Sequence, residues 1–305
     1  MACHICGTEL MRAKIIKAIA GFFYVYAGES GIYECRAKGI FRLKGVRPLP
    51  GDDVEFEIIS EEEKTGHITE VLPRTSYIKR PPAANPDQVL LLMAMKHPDP
   101  NYLLLDRYLV SMHQCGLPAV VCFNKADLAS EGQMEEIREV YKGAGVPVHF
   151  MSLRTGEGVE EAKEFFENHT TVLAGPSGAG KSSLVNTVQN RIHMETGEIS
   201  KKLARGKNTT RHTELIPINE HSFLFDTPGF TALELEGMEK EELKNAYAEF
   251  APYEGTCFFQ GCVHVSEPDC AVINAVREGL ISEQRYRQYK VLFEELKEAE
   301  KRRYK

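Results

Sequence analysis

The sequence predicts a multi-domain fold in three parts: an all-β barrel of the oligonucleotide-binding (OB) type, a central α/β domain and a mostly α-helical subdomain. Three observations predict it. Short β-rich runs separated by glycines come first, strands then alternate with helices, and cysteines cluster among helical segments near the end. We expect a flexible tail over residues 1–10, the barrel over 11–78, the α/β domain over 79–240 and the helical subdomain over 241–305.

Composition excludes several classes of protein. A chain of 305 residues that is 43% hydrophobic is long enough and apolar enough for more than one core. The longest apolar run near the middle, Val89 to Met95, is too short to span a bilayer, and no signal-peptide pattern opens the chain. We therefore expect a cytoplasmic protein that does not bind membranes, and we expect a monomer.

The predicted barrel contains a basic segment, residues 12–47, although the whole chain carries a net charge of -7. Its strand candidates are "KIIKAIAGFFYVY", "GIYECRAKGIF", "GDDVEFEIIS" and "GHITEVLPR", a content that suits five strands. The acids of this segment are Glu29 and Glu34, and its basic residues are Arg12, Lys14, Lys17, Arg36, Lys38, Arg42, Lys44 and Arg47. Such a surface fits RNA. The alternative is a small barrel with a solvated basic face and no ligand.

The next segments predict a parallel sheet covered by helices on both faces. The prolines of "RPPAANPD", residues 80–87, indicate a linker. After it, the strand candidates "QVLLLMAM", "PAVVCFN", "VPVHFM" and "TTVLA" alternate with helical stretches. Ligands bind such sheets at the carboxyl ends of the strands.

One of these strand ends carries a complete phosphate-loop pattern, "GPSGAGKS". Its glycines let backbone amides turn onto phosphate oxygens, and the following helix start adds positive potential. We expect Lys181 to reach the β- and γ-phosphates and Ser182 to bind magnesium. The candidate phosphate ligands are Gly175, Pro176, Ser177, Gly178, Ala179, Gly180, Lys181, Ser182 and Ser183. The loop alone leaves kinases, ATPases and GTPases open.

Two further segments predict nucleotide switches. In "LFDTPGF", Asp226 follows an apolar strand and can hold magnesium through water, and the amide of Gly229 can contact the γ-phosphate. In "NTTRH", Thr209 or Thr210 can coordinate magnesium, and we favour Thr210. The predicted magnesium ligands are therefore Ser182, Thr210 and Asp226.

The loop "NKAD", residues 124–127, specifies the base. Asp127 can accept two hydrogen bonds from guanine, Asn124 can reach its carbonyl side, and the stem of Lys125 can pack over the ring, with Ala126 in the same loop. Adenine would leave that carboxylate unpaired. A second loop, "SLRTGEG", brings Ser152 and offers the amide of Leu153 or Arg154 to the guanine carbonyl. Together these motifs predict GTP and GDP as ligands.

The order of these motifs is unusual. The base loops precede the phosphate loop, and the two switches follow it, so the chain is predicted to be a circularly permuted P-loop GTPase domain. The second switch then leads directly into the cysteine cluster. Nucleotide state can pass through the backbone into that subdomain.

The segment "CFFQGCVHVSEPDC" predicts a structural zinc site. It places Cys257, Cys262, His264 and Cys270 at a spacing that suits tetrahedral Zn²⁺ with no open position. The alternative is a set of buried reduced cysteines beside a chance histidine. Cys3 and Cys6 lack a second pair of ligands and are assigned to the tail.

These motifs together resemble the ribosome small subunit-dependent GTPase A family, from Met11 to nearly the end of the chain. The resemblance rests on the basic barrel, "GDDVEF", "NKAD", "GPSGAGKSSL", "GKNTTRHTEL", "DTPGF", the cysteine spacing and the basic terminal helix. It implies binding to the small ribosomal subunit (rRNA) late in its maturation, subunit-stimulated GTP hydrolysis and contact with other maturation factors.

The sequence departs from the family in one place that bears on catalysis. Members commonly have a histidine in the first switch where this chain has Asn208, and His212 lies out of register. As is usual for the family, Phe230 stands where other switch proteins have a water-orienting Gln. The candidate catalytic groups are Lys181, Thr210, His212 and Gly229, with ribosomal RNA as another source.

Three functions follow from these residues. The first is a GTPase that docks on the immature subunit through barrel, zinc subdomain and terminal helix, and is released when GTP is cleaved. The second is a constitutive rRNA-binding assembly factor that holds GTP or GDP with little hydrolysis. The third is an ATP-dependent small-molecule kinase. If the first function holds, we expect the basic residues between 201 and 211 to contact RNA phosphates. The alternative is that they form a solvated loop.

Overall fold

The computed structural model describes residues 10–37, 41, 45, 47–79, 82–196, 213–226, 235 and 237–303. The chain divides into two compact units. The first comprises Met1–Gln88, Glu164–Leu173 and Ser182–Phe230, and the second comprises Val89–Lys163, Ala174–Lys181 and Thr231–Lys305. The tail cysteines Cys3 and Cys6 lie outside the described residues.

The amino-terminal part of the first unit is a closed five-stranded barrel, as predicted. Its strands are β1 (Leu10–Ile19), β2 (Phe22–Tyr26), β3 (Ile32–Ala37), β4 (Asp53–Ser60) and β5 (Thr65–Val71), in the order β1-β2-β3-β5-β4. The β3–β5 pair is parallel and the other pairs are antiparallel. The barrel is filled by inward-facing apolar side chains, including Ile15, Val25, Tyr33, Val54 and Phe56, all fully buried.

A short hairpin follows the barrel, where the sequence predicts only a linker. Strand β6 (Tyr77–Lys79) pairs with β7 (Pro82–Ala84). Pro82 is tolerated because it stands at the first position of its strand. The buried Asn85 accepts a 2.8 Å bond from the Thr75 amide and donates a 3.1 Å bond to the Gly51 carbonyl. Part of the proline-rich segment is therefore fastened to the barrel.

The second unit contains the first half of the α/β region. Strands β8 (Gln88–Ala94), β9 (Ala119–Asn124) and β10 (Val148–Phe150) pair in parallel. Their connections contain the helices α1 (Tyr102–Gln114) and α2 (Glu131–Tyr141), and α3 (Val159–Glu164) follows β10. Asn101 and Ser130 cap α1 and α2 through bonds from backbone amides. Every residue of β8 and β9 is buried, which explains their uninterrupted apolar sequences.

The first unit contains the second half of the α/β region. Its elements are β11 (Thr170–Ala174), α4 (Lys181–Thr196), β12 (Glu214–Pro217) and β13 (Phe223–Asp226), except that Ala174 and Lys181 belong to the second unit. The β11–β13 pair is parallel, as expected, but β12 runs antiparallel to β13. The reason is the connection: the turn after β12 is closed by a bond from the Ile218 amide to the Ser222 carbonyl, and so short a link cannot make a parallel crossover.

The carboxyl-terminal part of the second unit is mostly helical, as predicted. It consists of the 3₁₀ helices Lys240–Ala246 and Ala248–Tyr253, then α5 (Ala271–Arg277) and α6 (Glu283–Arg303). Buried aromatic and aliphatic residues form its core, among them Leu243, Tyr247, Phe250, Tyr289 and Leu292. In the described part of the chain, no helix combines the length and the apolar character that a membrane span requires.

A buried ion-pair network fastens α6 to α1. Arg285 is 2% exposed, and its Nη1 lies 2.6 Å from Oδ1 of the fully buried Asp106. Its Nε lies 2.8 Å from Glu249 Oε1, and Tyr141 Oη donates to Asp106 Oδ1 at 2.9 Å. The helical subdomain is thereby joined through charge to the first helix of the α/β region.

Candidate nucleotide-binding and metal sites

The phosphate loop has the conformation that the glycines predict. Residues 175–180 connect β11 to α4, and Gly175 and Gly180 take φ values of +142° and +105°. A Cβ atom at Gly175 would collide with the carbonyl oxygen of Leu92, and one at Gly180 would collide with Nδ2 of Asn124. Only glycine fits at either position, since both the backbone angle and the close approach exclude a side chain.

Lys181 lies over this loop rather than extending into solvent. Its Nζ donates to the carbonyl oxygens of Gly175 and Pro176 at 2.6 and 2.8 Å. Burial lowers the pKa of the Lys181 ammonium below its usual value. The loop thus holds the Lys181 ammonium where it can attract a bound phosphate group electrostatically.

Asn124 connects the three loops predicted to bind nucleotide. It is the last residue of β9 and is 4% exposed. Its Nδ2 donates to the carbonyl of Ala179 at 2.8 Å, and its Oδ1 accepts from the amide of Leu153 at 3.1 Å. The base loop, the second base loop and the phosphate loop therefore share one side chain.

Lys125 strengthens the same junction. It takes a left-handed conformation with φ of +63°, and Ala126 after it begins the 3₁₀ helix Ala126–Leu128. The Lys125 Nζ donates to the carbonyl of Gly178 at 2.8 Å and also to the carbonyl of His97. The end of the Lys125 side chain is thereby held over the carbonyls of two neighbouring loops, and its packing over a base stays a prediction.

Asp127 is held by two partners from the second base loop. The hydroxyl of Ser152 donates to its Oδ1, and Arg154 donates to its Oδ2 from Nε at 3.0 Å and from Nη2 at 2.5 Å. These hydrogen bonds, that of Ser152 first, keep the pKa of the Asp127 carboxyl below its usual value. The group is an anionic double acceptor, which is what recognition of guanine requires.

The remaining predicted ligands are placed only in part. Ser182 and Ser183 lie in the first turn of α4, directly after Lys181 and exposed. Asp226 is the last residue of β13, and its side chain is not described. Thr210, His212 and Gly229 lie outside the described residues, as do Asn208 and Phe230.

The predicted zinc ligands do come together. One ligand atom from each of Cys257, Cys262, His264 and Cys270 lies within 4.8 Å of all the others. His264 Nδ1 lies 3.6 Å from Cys257 Sγ and 3.3 Å from Cys270 Sγ, and the two sulfurs are 3.9 Å apart. Metal–sulfur bonds of about 2.3 Å would give tetrahedral edges of about 3.8 Å. The donors present therefore fit a closed zinc site.

Residues that the spacing did not indicate orient these ligands. His264 Nε2 lies 2.6 Å from Glu254 Oε1, which leaves Nδ1 to face the cysteines. The carboxylate of Glu267 accepts from the amides of Val263, Val265 and Ser266 at 2.8 to 3.0 Å. Tyr286 Oη donates to the His264 carbonyl at 2.9 Å. Hydrogen bonds to Glu254 and Glu267 and from Tyr286 of α6 therefore fix the conformation of the ligand loop without the help of a metal ion.

Sequence reasoning missed three of these functional contacts. The side chain of Arg154, the carbonyl of His97 and the carboxylate of Glu254 all touch predicted site residues. Arg154 lies within the motif "SLRTGEG", whose pattern predicts a role for its backbone amide but not for its side chain. His97 and Glu254 carried no signal beyond their position near a strand end and a cysteine.

The geometry defines the class of protein: a phosphate loop joined by one asparagine to the two predicted base loops, in permuted order, is a circularly permuted P-loop GTPase. Known family models match residues 13–68, as the RsgA N-terminal domain, and residues 71–236, as the RsgA GTPase. The chain belongs to the RsgA GTPase family and is a GTP-hydrolysing enzyme. The resemblance inferred from its motifs is confirmed.

Two relatives of known name are similar in sequence to nearly the whole chain. The small ribosomal subunit biogenesis GTPase RsgA of Agathobacter rectalis is 47% identical over 301 residues, covering 95% of this chain and 100% of the relative. That of Caldanaerobacter subterraneus subsp. tengcongensis is 46% identical, with 97% and 99% covered.

Two solved structures share the fold. The crystal structure of YjeQ from Thermotoga maritima has a TM-score of 0.80 at 34% identity, covering 94% of this chain and 99% of its own. That of YloQ, a circularly permuted GTPase, has a TM-score of 0.79 at 33% identity, covering 98% and 99%. The predicted barrel, permuted GTPase domain and helical cysteine-rich region are confirmed together.

Proposed function

We propose that this GTPase binds the small ribosomal subunit in the cytoplasm and acts late in its maturation, as a monomer alongside other maturation factors. It hydrolyses GTP to GDP and phosphate, and hydrolysis drives a conformational change that releases it. The observation that supports nucleotide binding is the pair of hydrogen bonds that Asn124 forms with Ala179 and Leu153, because they join three loops into one site. The relatives' name, small ribosomal subunit biogenesis GTPase, supports the partner.

Within this proposal, the base site reads guanine through Asp127. Its carboxylate accepts from the ring and exocyclic nitrogens, and Ser152 keeps that carboxylate in place. Lys125 covers the base while Ala126 and Leu153 offer backbone groups at its edge. Asn124 serves chiefly to position these loops, because both ends of its amide are engaged.

The phosphate site is assigned to residues 175–183. The amides of the loop surround the phosphates, and Lys181 exchanges its bonds to Gly175 and Pro176 for phosphate oxygens. Ser182, Thr210 and Asp226 would hold Mg²⁺, which would neutralise charge that develops on the phosphates. We assign Gly229 to sensing of the γ-phosphate. Thr210 and His212 are the chain's own candidates for positioning the attacking water, since Phe230 cannot do so.

The domain boundaries predicted from the sequence belong to this proposal. The OB barrel over residues 11–78 presents its basic side chains to rRNA, and the GTPase domain spans 79–240. The zinc subdomain over 241–305 holds Zn²⁺ in a purely structural role through Cys257, Cys262, His264 and Cys270. Its terminal helix α6 ends with basic residues, which suit a phosphate backbone.

The test is GTP hydrolysis with and without purified small ribosomal subunits. We expect the subunits to raise the rate for the wild-type protein, and Asp127→Asn to abolish the effect at GTP concentrations that saturate the wild type. Asp99→Asn is the matched control, because Asp99 is an exposed acid outside the base loops. Efficient hydrolysis of ATP in place of GTP would instead support a kinase-like enzyme.

A second candidate function is an rRNA-binding assembly factor that holds GTP or GDP with little hydrolysis. Asn208 and Phe230 favour it, because neither side chain can act as a base at the positions where switch proteins place water-orienting groups. The same assay separates the two functions. A slow rate that the subunits leave unchanged, together with nucleotide-dependent binding to them, would select this candidate.

A further inference from the structure

The carboxylate that reads guanine is already bound by a side chain of the same chain. Arg154 donates from Nε and Nη2 to Oδ2 of Asp127, at 3.0 and 2.5 Å. The Asp127 side chain is 9% exposed and that of Arg154 is 72% exposed. The guanidinium therefore covers the carboxylate on its solvent side.

The donor groups of Arg154 have the same chemistry as those of guanine. Guanine presents N1–H and the exocyclic N2–H on either side of C2, which together form a guanidine fragment. Arginine presents Nε–H and Nη2–H on either side of Cζ in the same planar arrangement. Both Arg154 donors contact Oδ2. Because this oxygen already accepts two hydrogen bonds, it has no acceptor site left for a donor of the base until the guanidinium moves away.

We propose that Arg154 is an intramolecular competitor of the guanine base for Asp127, and so sets nucleotide affinity and release. The proposal rests on the proposed reading of guanine by Asp127. Binding exchanges the guanidinium of Arg154 for the guanidine edge of the base. When the nucleotide leaves, Arg154 returns and neutralises the carboxylate, so the loss of the base is partly compensated within the protein.

The loop is built so that only the Arg154 side chain must move. The backbone on both sides is anchored: Leu153 N donates to Asn124 Oδ1 at 3.1 Å, and Thr155 N donates to Ser152 Oγ at 3.2 Å. Ser152 N donates to the Glu157 carbonyl at 2.8 Å and Gly156 N to the Ser152 carbonyl at 2.8 Å. Ser152, which donates to the other oxygen, Oδ1, keeps its bond in both states.

The size of the effect follows from the exposure of the pair. An ion pair with one exposed partner contributes little net free energy, so displacing it lowers apparent nucleotide affinity by about two- to fivefold. A larger penalty would need a buried arginine. The arrangement thus tunes affinity without changing which base is read, because Asp127 offers only acceptors whether or not Arg154 is present.

The test measures GDP affinity by calorimetry for the wild type, Arg154→Gln, Arg154→Lys, Asp127→Asn and the Asp127→Asn/Arg154→Gln double variant. We expect Arg154→Gln to bind GDP about two- to fivefold more tightly and to release it more slowly. Arg154→Lys should fall between, because an ammonium cannot present two fixed parallel donors. Arg287→Gln is the control, since Arg287 forms an exposed pair with Glu283 on α6.

The double variant separates this proposal from the proposed function. If Arg154 acts through Asp127, removing it in the Asp127→Asn background gives no further gain. If Arg154→Gln binds GDP no more tightly than the wild type while Asp127→Asn still loses affinity, Arg154 does not compete with guanine. Guanine recognition by Asp127 would then still stand. If Asp127→Asn binds GDP as tightly as the wild type, guanine reading by Asp127 is itself overturned.

Discussion

Lys17 in the barrel strand β1 forms an ion pair with Glu214 in β12, with 3.0 Å between Nζ and Oε1. The contact is reinforced nearby, since Tyr26 meets Phe223 edge to face at 5.9 Å and the Lys14 ammonium lies 5.5 Å from the centre of the same ring. Glu214 stands two residues after His212, and β13 leads into "DTPGF". The barrel therefore rests on the two strands that border both predicted switches.

This contact predicts coupling between barrel and hydrolysis. We expect Lys17→Glu to leave basal GTP hydrolysis unchanged and to lower the subunit-stimulated rate by about two- to tenfold, because the barrel no longer holds β12. The measurement is hydrolysis with saturating small subunits. Combining Lys17→Glu with Glu214→Lys should restore stimulation, which a simple loss of RNA contact by Lys17 would not allow. Lys64→Ala is the control, because the ammonium of Lys64 pairs with Glu61 within the barrel.

The hydrogen bonds of Asn124 predict that removing its side chain weakens nucleotide binding, because three loops lose their shared partner. Asn124→Ala leaves the carbonyl of Ala179 and the amide of Leu153 without their partner, at a cost of about 1–3 kcal/mol. We expect GDP affinity to fall at least about tenfold. The free energy of unfolding should fall by about 1–3 kcal/mol. Calorimetry and urea unfolding measure the two. The exposed Asn245 supplies the control, Asn245→Ala, and equal effects of both variants would contradict the prediction.

The bond between Glu254 and His264 predicts a change in metal affinity. The Glu254 carboxylate orients the imidazole of His264 and raises the basicity of that ring. Glu254→Gln removes this charge, so zinc affinity should fall by about 10- to 100-fold. Competition with a chromogenic chelator measures it. Glu278→Gln, an exposed acid after α5, should leave the affinity as it is in the wild type. An unaltered affinity in Glu254→Gln would mean that the cysteines and the backbone alone orient His264.

Burial of Asp106 predicts a pH dependence of stability. Burial raises the pKa of Asp106 to about 6, although Arg285 and Tyr141 both stabilise the carboxylate. The ordinary value in an unfolded chain is about 3.9. The folded state therefore binds the proton more tightly, and the stability contributed by this group is fully present below about pH 4 and is lost as pH rises through about 6.

Asp106→Asn isolates that contribution, because the amide has nearly the same shape and does not titrate. Relative to Asp106→Asn, the wild type should lose about 3 kcal/mol of unfolding free energy between pH 4 and pH 7. Urea unfolding of both proteins across this range measures the difference, and titration of the metal site cancels between them. A difference that stays constant with pH would show that Asp106 remains ionised throughout.

Much of the local structure followed from the sequence. Glycine spacing and apolar runs predicted the barrel strands, and alternation predicted β8, β9, β10 and β11 with their helices. Two features were missed for local reasons. The prolines of residues 80–87 concealed β7, and no pattern in "TELIPI" reveals that β12 runs antiparallel. Strand direction depends on the connection and the neighbours, which a strand's own residues do not encode.

By itself, the sequence determined which motifs are present and in which order: a phosphate loop, the loops predicted to read guanine ahead of it, and four residues of the types that bind zinc. These signals are local, because each arises from residue types at short spacing. Only the tertiary structure decided that Asn124 joins Ala179 to Leu153, that Arg154 covers Asp127, that Glu254 orients His264 and that Lys17 holds Glu214. Such contacts link residues brought together by packing, and neither spacing nor hydropathy records which distant side chains will meet.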